Sequence, residues 1–125
     1  MGEIIADADV WRAELTIGAM HGYTGPEQVY PGDIIGLVTT FIAQCDSLDW
    51  FPIIVWSRGT VQGVGFPKET VIKVTTESNP LYTANATRDD VTYYAIKLAA
   101  FLAEQLQQTR IYLAVYPIRA LIFER

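Results

Sequence analysis

The stretch from Thr87 to Phe123 constrains the fold most, because a long amphipathic helix there runs straight into a strongly apolar β segment. Apolar residues fall at Val91, Tyr94, Ala95, Leu98, Phe101, Leu102 and Leu106, the three-and-four spacing of a helix that buries one stripe. Thr87 is placed to cap it, and Asp89 and Asp90 stand in the first turn, where the helix dipole favours negative charge. Gln107, Gln108 and Thr109 end the stripe, and Ile111 to Tyr116 is rich in the β-branched and aromatic residues that suit a strand. Pro117 cannot donate to a ladder, and Arg119 to Phe123 resumes the apolar pattern, so the last strand is expected to be split into a tight hairpin.

Upstream, Trp11 to Ala19 alternates: Trp11, Ala13, Leu15, Ile17 and Ala19 on one side, Arg12, Glu14, Thr16 and Gly18 on the other. That pattern predicts a strand with one buried and one polar face. Residues 1–10 have no clear period and are expected as a loose N-terminal arm. Asp33 is positioned to cap a helix whose stripe is Ile34, Leu37, Val38, Phe41, Ile42 and Cys45. Pro52 to Arg58 is apolar on both sides, and Thr70 to Glu77 sets Ile72, Val74 and Thr76 against Val71, Lys73 and Thr75; both are predicted strands. The order is β-α-β-β-α-β in a single domain over residues 1–125. Such a run is the signature of a ferredoxin-like α+β sandwich, two helices on one face of an antiparallel sheet.

Composition narrows the partners. The net charge of −5 and the absence of a basic cluster argue against nucleic acid, whose phosphates are bound by grouped Lys and Arg. No apolar run approaches the ~20 residues that span a bilayer, and the N-terminus lacks a secretory pattern, so a cytoplasmic protein is expected. Cys45 is the only cysteine, which precludes an intrachain disulfide and reads as a buried thiol. One histidine, one cysteine and scattered carboxylates such as Asp46, Asp49, Asp89 and Asp90 do not make a metal set, and no cofactor is expected.

Two groups of residues are candidates for function. In the predicted fold the sheet face away from the helices has a polar centre, Arg12, Glu14 and Thr16 beside either Lys73 or Thr76, and a rim of apolar residues such as Trp56 or Tyr112 and Tyr116; Arg12, Glu14, Trp56, Arg58, Lys73 and Tyr112 are the candidate ligand-binding residues. An apolar rim around a polar centre suits a partner subunit or a small ligand, while cross-strand pairing on a solvated face is the simpler explanation of the charges. The second group is the loop 21–32, where His21, Tyr23 and Glu27 lie close together, with the connection 58–69 expected at the same end of the sheet. A histidine near a carboxylate can serve as a general base near neutral pH, though no nucleophile stands beside it.

Within that connection, Gly59-Thr60-Val61-Gln62-Gly63-Val64-Gly65-Phe66 resembles the phosphate-binding loop of acylphosphatases, and backbone amides of such a loop can cradle a phosphate. The resemblance implies hydrolysis of acyl phosphates. It departs from the family at Pro67, which stands where the phosphate-binding arginine follows the loop, and at Lys68, one residue late. The first expectation is therefore a self-associating α+β protein, a dimer or larger homo-oligomer, with an apolar or aromatic ligand on the open sheet face. The alternative is a small enzyme built on His21, Tyr23 and Glu27, joined by Arg58 or Lys68, with an acylphosphatase-like hydrolase as a further variant.

Overall fold

A computed structural model of the chain describes residues 1–18, 30–45, 52–61 and 69–125. The elements are β1 (Glu3–Gly18), α1 (Pro31–Gln44), β2 (Ile53–Val61), β3 (Glu69–Glu77), α2 (Arg88–Leu106) and β4 (Tyr112–Glu124). The strands form one antiparallel sheet in the order β2-β3-β1-β4, with two helices packed on it, an α+β architecture.

The alternation of the central strands decides what each face does. Ala13, Leu15 and Ile17 of β1 pair with Thr76, Val74 and Ile72 of β3, and all six are essentially inaccessible. Against them pack Ile34, Val38 and Phe41 of α1 and Val91, Ala95, Leu98 and Leu102 of α2. Removing each large apolar side chain from water contributes about 1.5–3 kcal/mol, so this layer carries most of the stability.

The helix ends follow from local chemistry. In α2 the Asp90 amide donates to Thr87 Oγ1 (3.1 Å) while the Thr87 amide donates to Asp90 Oδ2 (2.8 Å), a reciprocal capping box. The helix stops at Gln107, which takes a left-handed conformation (φ 54°) and lets the Gln108 amide reach the Ala103 carbonyl at 2.9 Å. In α1 the capping role expected of Asp33 is corrected. Pro31 opens the helix, Tyr30 is the cap residue, and the Asp33 carboxylate, one turn in, accepts from the Tyr30 amide at 3.2 Å. Proline's fixed φ and missing donor suit that first helical position.

Two expectations about the strands change. β4 runs unbroken through Pro117 rather than splitting into a hairpin. It lies at the edge of the sheet, opposite Trp11, where alternate amides point away from the ladder and a missing donor costs no bond. Residues 3–10, expected as a loose arm, are the first half of β1 and pair with β4 as far as Glu124. Ser78 makes the last link to β1 on the β3 side, its amide donating to the Trp11 carbonyl at 3.1 Å. Beyond that point β1 and β4 continue as a two-stranded ribbon, with a register shift between Ile4 and Ala6.

Candidate functional site

The face of the sheet turned away from the helices carries the even-numbered residues of β1. The register aligns Trp56, Lys73, Thr16 and Tyr112 in one row across all four strands, and Ile54, Thr75, Glu14 and Ala114 in the next. Of the residues predicted to bind a ligand, Arg12, Glu14, Trp56, Lys73 and Tyr112 therefore share one face. Arg58 lies at the irregularity of β2 between Ser57 and Gly59, and its side chain is outside the described residues.

These groups are tied to one another. Arg12 forks onto the Glu77 carboxylate, with its Nη2 2.9 Å from Oε2 and its Nε 3.2 Å from the same oxygen. Burial opposes the Arg12 charge, but hydrogen bonds to Glu77 and Tyr116 outweigh it and hold the guanidinium above its ordinary pKa. Lys73 Nζ lies 2.9 Å from Glu14 Oε1 and donates to Thr16 Oγ1 at 2.6 Å; the Tyr116 hydroxyl donates to Glu14 Oε2 at 3.0 Å. Trp56 Nε1 donates to Thr75 Oγ1 at 3.1 Å. The two cations and two anions neutralise each other, and the face is a paired lattice of cross-strand contacts. Among the described side chains of the predicted set, Tyr112 is the one that is widely exposed.

His21, Tyr23 and Glu27 lie outside the described residues, as do Asp46 and Asp49 and the Gly-rich string beyond Val61. Among the described residues no three His, Cys, Asp or Glu side chains group as metal ligands, and no helix is long and apolar enough to cross a membrane.

A larger feature lies in the helix layer. Between the C-terminal end of α1, one side of α2 and the segment 79–87 is an open cavity of about 1010 Å³. Beside its core stripe, α2 presents a second stripe at helical spacing, Asp90, Tyr93, Lys97 and Ala100, and that stripe lines the cavity. Tyr94 and Phe101 lie between the two stripes and face Phe41 of α1, with ring centroids 5.5 Å and 5.6 Å away. The opposite wall is a loop held by its own polar groups. Asn79 Oδ1 accepts from the amides of Leu81 (2.8 Å) and Tyr82 (3.2 Å), and Thr83 Oγ1 accepts from the Asn79 amide at 2.6 Å. The loop brings Tyr82, Thr83, Asn85 and Ala86 to the cavity.

Three side chains give this groove its electrostatics, the first being Asp90, whose carboxylate accepts from the Thr87 amide at the helix start. Lys97 Nζ stands 5.3 Å from the centroid of the Tyr93 ring, a cation–π contact, and among the described residues no ion pair holds it. The buried Tyr94 hydroxyl interacts with the Cys45 thiol, and its pKa is pushed up to about 12, chiefly by burial and then by Cys45. It stays neutral across the physiological range. Cys45, expected as a buried thiol, is partly exposed at the end of α1, where it lines the groove.

The sequence reading placed Tyr94 and Phe101 in the core stripe and did not find the groove. The available signal was the width of that stripe: one sheet layer is satisfied by Val91, Ala95, Leu98 and Leu102, and two further aromatic positions imply a second surface. Comparisons with protein-family models, with curated proteins and with solved structures each return no match.

Proposed function

We propose that the protein is a small-molecule binder whose site is the aromatic groove beside α2, and that its ligand is a flat apolar molecule carrying one acidic group. The observation that carries this reading is the groove itself: about 1010 Å³, walled by Phe41, Tyr82, Tyr93, Tyr94 and Phe101, with Lys97 on the lining. Binding sites for small ligands combine such apolar walls with a few placed polar groups. Rings stack on Tyr93 and Phe101, and an acidic group meets Lys97, which no ion pair holds among the described residues. The open sheet face supports ligand binding less well, because its charges are already paired. The strand order β2-β3-β1-β4, with both helices on one side, supports the ferredoxin-like reading of the fold.

The test uses 1-anilinonaphthalene-8-sulfonate, a flat aromatic anion, followed by fluorescence. Saturable one-to-one binding is expected, weakened about tenfold, or ~1.4 kcal/mol, in Lys97→Met and in Tyr93→Ala. Unaltered affinity in both variants, or no saturable binding by the wild type, would overturn the proposal.

A further inference from the structure

Among the described residues, the β1–β4 ribbon presents two unpaired edges of different character. On the β1 side, antiparallel alternation continued from the Ser78–Trp11 bond turns the N–H and C=O of Asp7 and Asp9 outward. Carboxylates beside an open edge discourage another strand from pairing there. On the β4 side the outward groups belong to Leu113, Val115, Pro117, Arg119, Leu121 and Phe123, since their even-numbered neighbours pair with β1. That edge is long and mostly apolar. Leu121 is 50% exposed and Phe123 63% exposed, both in the half that no other strand of the described residues supports. A two-stranded ribbon is marginal in water by itself, and a long apolar edge is a template for pairing.

We infer that the C-terminal half of β4 is a dimerisation edge, and that its occupant is β4 of a second copy, antiparallel about a two-fold axis at Ala120. Side-chain complementarity selects this register. An axis at Arg119 would set the guanidinium on itself, and one at Pro117 would oppose two residues that lack donors. With the axis at Ala120, Arg119 lies opposite Leu121 of the partner subunit, and their outward N–H and C=O groups exchange both ladder bonds. Pro117 lies opposite the partner's Phe123, whose amide donates to the Pro117 carbonyl, so the proline needs no donor. On the open face Ile118 meets the partner's Ile122, and Ala120 meets the partner's Ala120. On the other face Pro117 and the partner's Phe123 make an apolar row at each end, and between them each Arg119 lies beside the partner's Leu121; the two guanidiniums are diagonal neighbours astride the axis, each neutralised by Asp7 of its own chain at 2.7 Å. No like charges lie directly opposite one another. The sheet becomes continuous through the axis, and the ribbon gains the third strand it lacks.

The test is sedimentation velocity over a concentration series, with hydrogen exchange read at the same concentrations. A monomer–dimer equilibrium in the micromolar range is expected, and Leu121→Lys should weaken it at least tenfold, whereas Ile54→Lys on β2 should leave it unchanged. In the wild type, the outward amides of Arg119 and Leu121 should gain protection as concentration rises, while the inward amides of Ile118 and Ala120 stay protected throughout. The exchange result decides the matter even if Leu121→Lys does not fold. A monomer at every concentration would overturn the inference, as would a dimer in which those two amides exchange freely.

Discussion

The two faces of the sheet are made of the same four strands but held by different physics. The face under the helices is apolar and closed: Leu15, Ile17, Val74, Leu98 and Leu102 have essentially no exposure, and stability there comes from area removed from water. The open face holds Arg12, Glu14, Lys73 and Glu77 in mutual pairs, with side chains between 18% and 34% exposed. Its contacts fix register and leave no net charge for a ligand. Burial therefore stabilises the fold on one side, while on the other the paired polar groups make it specific. The groove belongs to neither face. It arises where the helix layer carries more aromatic side chains than the sheet can cover.

The contrast predicts unequal responses to truncation. Leu98→Ala, between α2 and the sheet, should cost about 2–5 kcal/mol, the range for leucine truncation in a closed core, read as a fall in the urea midpoint at unchanged slope. An effect below ~1 kcal/mol would show that the helix layer is loosely packed, and the distinction between the faces would collapse.

On the open face the response should depend on which partner is left behind. Lys73→Met removes the ammonium from the Glu14 carboxylate, which still accepts from the Tyr116 hydroxyl, and should cost about 1–2 kcal/mol. Adding Glu14→Gln should recover part of that loss, giving a coupling energy of about 0.5–1 kcal/mol in a double-mutant cycle. Strict additivity would mean that the lattice is decorative.

Much of this was legible beforehand because it rests on local periodicity. The alternation of Trp11 to Ile17 separated the two faces correctly, and five of the six residues nominated for a ligand do share one face. What the alternation could not show is that those residues satisfy each other, since Arg12 and Glu77 are 65 positions apart and meet only through strand pairing. Pro117 was misread for the same reason: whether a proline breaks a strand depends on whether its amide faces a neighbour, and that follows from the sheet order. The groove needed the packing of α1 against α2, because Phe41 and Phe101 each look like core residues when their own helix is read alone.

Smaller effects sharpen the account at the ends of the helix layer. Thr87→Ala removes the hydroxyl that accepts the Asp90 amide and should cost about 1 kcal/mol, visible as faster exchange confined to the first turn of α2. Since Asp90 also lines the groove, the same variant should loosen the anilinonaphthalene probe only slightly; a loss as large as that of Lys97→Met would move the site from the second stripe to the helix start.

The smallest effect at neutral pH, and the most diagnostic, concerns Tyr94, whose ionisable hydroxyl is buried in the helix layer. Folding holds Tyr94 near a pKa of about 12 against an ordinary value of 10.0, so the fold favours its protonated form. Below pH 10 the folded and unfolded chains both keep the proton, and the contribution is fully present. Between pH 10 and 12 the unfolded chain releases a proton that the folded chain retains, and this share of the stability is lost as the pH rises through the folded value. Tyr94→Phe has no proton to release. Wild type and variant should thus differ little at pH 7, and the stability difference between them should move in favour of the variant above pH 10. Chemical denaturation at pH 7, 9 and 10.5 measures that shift. A constant difference across the series would mean that Tyr94 meets water as freely as the exposed tyrosines of the groove, and that the boundary between the core stripe and the second stripe lies elsewhere.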